Sequence, residues 1–164
     1  MSNDGTVLLE AADFEQRGGW VLDTQFVQFT GSACLLAAGI GRPVADAFAS
    51  FDLTEGGTFR LWVYCRNWIL EYSPGTFKVN IDGEAVPRTF GAAESDDWMW
   101  ADGETVELAA GAHRLQLEDL TGYYGRCGAV LLARDLEFIP SSGLQGLRDL
   151  RTAVKGLPPE PGSP

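Results

Sequence analysis

From residue 6 to residue 139 the chain is a series of short runs in which apolar and polar positions alternate. In TFRLWVYCR, Phe59, Leu61, Val63 and Cys65 fall on one side, and Arg60, Trp62, Tyr64 and Arg66 on the other. Residues i and i+2 share a face of a strand, so the first set predicts core and the second a face carrying aromatics between charges. TFKVNIDGEAV alternates in the same way, with Phe77, Val79 and Ile81 inward and a hairpin turn at Asp82-Gly83. ETVELAAGAHRLQLEDL predicts a second hairpin that turns Val106, Leu108, Leu115 and Leu117 inward. The nearly continuous apolar run 129–139 suits a central strand. Turn signals at Gly18-Gly19, Gly56-Gly57, Asp82-Gly83, Asp102-Gly103 and Gly111 separate these runs. The spacing predicts an all-β antiparallel sandwich over residues 6–140.

After Pro140 the period changes. Leu144, Leu147, Leu150 or Arg151, and Val154 recur at helical spacing, which predicts a short helix within 141–156. Ser142 with Gln145 resembles a capping box, and Gly156 followed by Pro158 supplies a stop. Residues 157–164, LPPEPGSP, have the composition of a proline-rich linker and raise the expectation of a further module beyond them.

A length of 164 residues with 45% hydrophobic content suffices for one sizeable core plus a tail. Twelve basic against 23 acidic residues give a net charge of -11, which opposes binding to nucleic acid or anionic membrane. No apolar run approaches the roughly 20 residues of a membrane span, and the first residues lack the segments of a signal peptide. The three cysteines, Cys34, Cys65 and Cys127, are far apart without a Cys-x-x-Cys pair, so small buried thiols are expected rather than a zinc site or disulfide scaffold.

Catalytic patterns are scarce. The single histidine, His113, lies in an alternating strand, and no nucleophile elbow, zinc-protease helix or phosphate loop is present. GIGRPV lacks the third glycine of a dinucleotide fingerprint. Asp96-Asp97, Glu118-Asp119 and Glu71 are carboxylates of the kind that cleave glycosides, but adjacent acids point to opposite faces of a strand. The expectation is of a chain that is not an enzyme.

Three segments concentrate aromatics beside planar polar groups. CRNWILEYSPG carries Arg66, Asn67 and Trp68; SDDWMW carries Asp97, Trp98 and Trp100; DLTGYYGRCG carries Asp119, Tyr123, Tyr124 and Arg126. Sugar rings have apolar C–H faces and hydroxyl edges, so a receptor for them needs aromatic plates and planar Asp, Asn or Arg groups. Trp98 and Trp100 share a face, which places both in a core or both on a surface. The surface alternative makes them, with Trp68 and Tyr123, a glycan-facing platform. Arg126 either touches ligand or bridges to Asp119.

The stretches GGWVLDTQF, GSACLLAAGIGRPVADA, RLWVYCRNW, RTFG, WMWADGETVEL and DLTGYYGRC resemble the accessory module of FAD-dependent oxidoreductases from polysaccharide-degrading bacteria, proteins described as xanthan-lyase-like. The likeness covers about residues 7–140, and LQGLRDLRTAVKGLPPEP resembles the connector before the flavoprotein domain. It implies a jelly-roll sandwich like carbohydrate-binding modules, and a secreted or periplasmic place within a larger bacterial protein. Such modules often hold a structural calcium ion through a Glu-x-Glu strand and an aspartate in the last strand. Here Glu10 is kept, while Ala12 and Gly128 stand at the other two positions. Calcium takes about six to eight oxygens, so Glu10 alone is a weak metal candidate and no cofactor is expected in this chain.

These readings converge on a non-catalytic carbohydrate-binding module that brings an attached enzyme to a polysaccharide. Two alternatives are a docking domain packing on a flavoprotein and, weaker, a small glycan-cleaving enzyme. The charge favours a neutral glycan, or an acidic one met by Arg66 and Arg126.

Overall fold

The alternating runs form strands. The computed structural model describes residues 5–24, 33–67, 71–72, 75–92 and 97–156. In chain order the strands are β1 (Val7–Glu10), β2 (Val21–Asp23), β3 (Cys34–Ala38), β4 (Ala47–Leu53), β5 (Gly57–Arg66), β6 (Phe77–Ile81), β7 (Glu84–Phe90), β8 (Met99–Leu108), β9 (Gly111–Asp119) and β10 (Tyr123–Ala133), followed by helix α1 (Leu144–Lys155). Sheet A runs β2, β3, β10, β5, β8, and β1 lies beside the second half of β10 where β3 lies beside the first. Sheet B runs β4, β9, β6, β7. All the pairings are antiparallel. The chain is therefore a two-sheet β-sandwich with one short helix, as its pattern predicts, and of the jelly-roll type that the resemblance implies.

Between the sheets, Phe59, Leu61, Val63 and Cys65 of β5 belong to one core with Phe77, Val79 and Ile81 of β6 and Leu115 and Leu117 of β9. The Asp82-Gly83 hairpin forms as expected, with Ile81 paired to Glu84 and both turn residues at positive φ, 53° and 87°. The second expected hairpin does not form. β8 pairs with β5 in sheet A, whereas β9 pairs with β4 and β6 in sheet B. Ala109 and Ala110 carry the chain from one sheet to the other, so Val106 and Leu108 pack on the same core as Leu115 and Leu117 without sharing a ladder with them.

Sheet A is apolar on its outer face too. There Leu8, Trp62, Tyr64, Trp100, Ala129, Leu131 and Ala133 form a second buried cluster with Leu147, Leu150 and Val154 of α1. This explains why β10 reads as continuous apolar sequence: Val130 and Leu132 face the inner core, while Leu131 faces the helix. The capping box is absent, and the helix begins at Gly143 without a side-chain cap. Ser142 Oγ instead accepts from the Trp100 N–H at 3.3 Å, and Gln145 Nε2 donates to Asp149 at 2.8 Å. The Gly143 N–H donates to Tyr64 Oη at 3.1 Å, which ties the start of the helix to the sheet. Gly156, at φ 66°, closes the other end through its N–H to Thr152 O. Residues 157–164, expected as a linker, lie outside the described residues.

The last turns of α1 carry Arg151, only 1% exposed, into the outer core. Its Nε lies 3.1 and 3.2 Å from the two oxygens of Glu10, and its Nη2 lies 2.5 Å from Oε1. Lys155 Nζ adds contacts to Glu10 at 3.0 Å and to Asp13 at 2.5 Å. Burial alone would push the Glu10 carboxyl up, but the bonds and charges from Arg151 and Lys155 outweigh it and hold the group below its usual range.

Two expected outcomes follow from this pair. Arg151→Ala leaves the buried carboxylate with Lys155 alone and should lower unfolding free energy by about 3 kcal/mol in urea titrations. Because the folded pKa of Glu10 is depressed, its contribution is complete above the free value of about 4.3 and is lost as pH falls through the lower folded value. Between about pH 5 and pH 3 the wild type should therefore lose more stability than Glu10→Gln.

Candidate functional site

The loops that close one end of the sandwich are drawn together by a single carboxylate. Asp119, at the end of β9, is buried, and its Oδ2 accepts from the Val44 N–H at 2.9 Å. Its Oδ1 accepts from the N–H groups of Thr121 at 3.2 Å and Gly122 at 3.0 Å. Asp119, expected as a ligand contact, is corrected by this geometry: it is a clamp that joins the 39–46 loop to the 120–122 turn. Gly122 lets the two loops touch, since a Cβ there would stand 2.1 Å from Arg42 O.

On this clamp stands an exposed group that includes residues absent from the sequence-based set. Ile40 is 82% exposed and adopts φ 51°, a left-handed conformation that is costly for a β-branched side chain. Tyr123 is 48% exposed, and its hydroxyl end rests over Gly41, where a Cβ would lie 2.8 Å from Oη. Tyr124 is half-buried at φ 65°. The exposed ring of Tyr72 belongs to the loop between β5 and β6 at the same end. The one sequence signal for Ile40 is an isoleucine set between glycines in GIGRPV.

A few residues away, Arg66 and Arg126 are direct cross-strand partners, both half-buried, and the Arg126 Nη1 donates to Tyr124 O at 3.4 Å. Burial, together with the Arg66 charge, lowers the pKa of Arg126 from its usual value, yet a guanidinium stays charged at any ordinary pH. Trp98 is half-buried, with its ring stacked on Tyr64 at 5.5 Å between centroids. Asp97 is exposed and Asn67 is buried.

The proposed platform of Trp98, Trp100, Trp68 and Tyr123 is not assembled among the described residues. Trp100 is 5% exposed and packs on Tyr64 at 4.9 Å within the cluster beneath α1, so it is core. The physical reason is the helix, whose apolar stripe covers the outer face of sheet A. Trp68 and Asp96 lie outside the described residues.

His113 sits at the start of β9, six residues and about 20 Å of strand from Asp119. Its Nδ1 contacts Asp82 Oδ2 at 2.6 Å and its Nε2 contacts Ala109 O at 2.7 Å. Those two acceptors raise its pKa and employ both ring nitrogens. Of the acids that sequence offered for glycoside cleavage, Glu118 accepts from Asn80 at 3.0 Å and Asp119 serves the backbone. All three thiols are buried, with Cys34 and Cys65 pushed up to about 12 by burial.

The residues at the implied calcium position do not fit that ion. Glu10 is engaged by Arg151 and Lys155, and Ala12 offers no oxygen donor from its side chain. A Cβ on Gly128 would stand 3.0 Å from Tyr64 and 3.2 Å from Trp98, so ring carbons fill the space an aspartate would need. Among the described residues no group of three or more His, Cys, Asp or Glu is placed to hold a metal.

Comparison with known proteins gives a fold. Neither protein-family models nor curated protein sequences match the chain. Among solved structures it is similar to a family 35 carbohydrate binding module from Clostridium thermocellum, with TM-score 0.63 and 14% identity over 77% of this chain and 96% of that one. It is similar to CBM35 from Cellvibrio japonicus Abf62, with TM-score 0.60 and 18% identity over 78% of this chain and 92% of that one. A match to the Podospora anserina GH26-CBM35 β-(1,4)-mannanase has TM-score 0.62 and 20% identity over 79% of this chain but only 28% of the enzyme. The architecture is that of carbohydrate-binding modules.

Trp100→Ala should cost about 3–5 kcal/mol, as expected for an indole removed from a packed core. Excess chelator should leave the melting temperature within about 2 °C, because the residues at the implied calcium position do not fit that ion. Differential scanning fluorimetry checks both, with a calcium-reversible drop of about 10 °C as the contrary result for the second.

Proposed function

We propose that this chain is a non-catalytic carbohydrate-binding module whose binding surface is the clamped loop end, built on Ile40, Tyr123 and Tyr124 with Arg66, Arg126 and Trp98 alongside. One observation carries the reading. Ile40 and Tyr124, two non-glycine residues, are held at positive φ beside an exposed tyrosine, one on a loop and one at the start of β10, next to backbone that a buried aspartate ties together. Such conformations cost of order 1–3 kcal/mol each and collect where function requires them. The result is a rigid apolar and aromatic surface, with guanidinium donors close by, that suits the C–H face and hydroxyl edge of a sugar. The likeness in fold to carbohydrate-binding modules supports the same reading.

The sequence likeness to accessory modules of FAD-dependent oxidoreductases supports a finer one. In it the module is joined to such an enzyme, works outside the cytoplasm of a polysaccharide-degrading bacterium and itself cleaves nothing. Arg66 and Arg126 extend the ligand range to acidic glycans, and no bound metal takes part.

Affinity electrophoresis against neutral, uronate-containing and sulfated polysaccharides tests this. The wild type should be retarded by at least one of them, and Tyr123→Ala should abolish the retardation while changing stability by under about 1 kcal/mol. Ile40→Gly should weaken retention and leave stability equal or higher, because it releases about 1–2 kcal/mol of left-handed strain. Equal retention by wild type and both variants, or retention of no polysaccharide at all, refutes the assignment.

A further inference from the structure

The outer face of sheet A holds a feature that the loop end does not use. Beyond the edge of α1, a hollow of about 220 Å³ is lined by Arg60 and Trp62 of β5, Asp102 of β8, and the segment Leu136–Ile139 that follows β10. Arg60 and Arg66 are six residues apart on β5, so this hollow lies about 20 Å along the strand from the arginine pair at the loop end.

Its walls combine two kinds of surface. Arg60 and Asp102 form a bidentate pair, Nε to Oδ1 at 3.1 Å and Nη2 to Oδ2 at 2.5 Å, and the guanidinium carbon lies 5.7 Å from the Trp62 ring centre. The pair holds N–H donors and carboxylate acceptors side by side, at no further entropic cost to a ligand that meets them. It is supported by irregular backbone. The β5–β8 register shifts between Arg60 and Trp62, and Glu104, at φ 67°, donates its N–H to Asp102 Oδ1 at 2.9 Å. Bulges and left-handed non-glycine residues re-aim side chains and concentrate at sites of function. Among the other lining residues, Ile139 is 75% exposed and Leu136 is also exposed, which leaves apolar wall in contact with water.

The Trp62 indole is 8% exposed, yet among the described residues its Nε1 has no hydrogen-bond acceptor. A buried donor without a partner is costly, and it belongs to one of the residues that line the hollow. Ligand pockets for larger molecules span about 300–1,000 Å³, so this hollow suits one ring and not a chain segment. The local charge selects further. Arg60 and Asp102 cancel, and Glu104 and Glu137 lie close enough to act on Arg60, so an anionic sugar is disfavoured.

We propose that this hollow is a second carbohydrate subsite, taking a single uncharged hexopyranose whose apolar face meets Ile139 and Leu136 and whose vicinal hydroxyls meet the Arg60–Asp102 edge, beside the Trp62 indole. It extends the carbohydrate reading without relying on the loop end.

The test is a heteronuclear NMR titration of the full chain, following the Trp62 indole N–H signal, assigned by its loss in Trp62→Phe. The probes are the methyl glycosides of glucose, mannose and galactose, with methyl glucuronoside as the charged control. With at least one neutral glycoside the signal should move saturably in the roughly millimolar range expected for one ring. Glucuronoside should not move it. The shift should persist in Tyr123→Ala and should be lost in Arg60→Ala, whose backbone spectrum reports whether it remains folded. Asp102→Asn, which keeps the side-chain shape, provides a second disruption and should weaken the same shift at least several-fold. No saturable shift with any neutral glycoside overturns the subsite, as does a shift that survives in both Arg60→Ala and Asp102→Asn. Retention of polysaccharide by the loop end is read separately in gels, so either site can fail alone.

Discussion

Two charges that meet out of water, on Glu10 and Arg151, join the first strand to the last helix. Moving such ions from water costs several kcal/mol each, so the pair persists only where its hydrogen bonds are well made. Here the carboxylate receives three contacts from the guanidinium and one from Lys155. A pair of this kind often adds no more net stability than a hydrophobic substitute of equal volume, but unlike one it is specific about its partner. It fixes which turn of α1 lies over β1, and so which residues of the helix cover the aromatics of sheet A.

That covering decides where aromatic surface is open. A sandwich with an exposed outer sheet would display Trp62, Tyr64, Trp98 and Trp100 as a row of rings. With α1 in place, Tyr64 and Trp100 become core, Trp98 is half-covered, and Trp62 is left at the border. Exposed aromatic surface then moves to loops, where Tyr123 and Tyr72 stand out. Loops need stiffening before they can act as a receptor, since ordering them at the moment of binding would consume affinity. Asp119 supplies that stiffness by binding backbone from two loops at once, and the strain at Ile40 and Tyr124 is tolerated because the surrounding bonds hold it.

Much of this architecture is legible in the alternation of side chains. The two faces of β5, the Asp82-Gly83 turn and the end of the helix at Gly156 follow from local rules of period and turn chemistry, while the apolar run 129–139 is strand only as far as Ala133, in a central strand that begins earlier, at Tyr123. What lies outside local pattern is which surfaces meet. A stripe at 147, 150 and 154 announces a buried helix face but not its partner, so the Trp98 and Trp100 question stays open until the helix is seen on them. The β8–β9 turn reads as a hairpin because short polar connections look alike whether the strands pair or part to different sheets. Asp119 looks like a ligand residue because its partner Val44 is 75 residues away in sequence. Two signals did stand in the text: an acid, Glu10, in an apolar strand, and a cation, Arg151, beside an apolar stripe, each of which asks for the other.

The net charge of -11 bears on the loop end differently from the way it bears on the whole chain. At physiological ionic strength exposed charges are largely screened beyond about 8 Å, so distant acids contribute little at the site itself. Under the proposed function, what a ligand meets there is local: Arg66 and Arg126 side by side on the sheet, with Asp23 close enough to act on Arg126 and Asp119 turned inward to the backbone. The diffuse acidic field mainly slows the approach of an anionic polymer, while short contacts made after arrival set how long it stays. An acidic protein can therefore keep an acidic glycan at one end, provided that the cations are concentrated there and the nearby carboxylates are occupied. The Arg60–Asp102 hollow shows the opposite arrangement, an arginine already neutralised by its partner and flanked by further acids. On the proposed reading, charged and uncharged ligand chemistry are divided by what sits beside the arginine, a second arginine at the loop end and a bonded acid at the hollow.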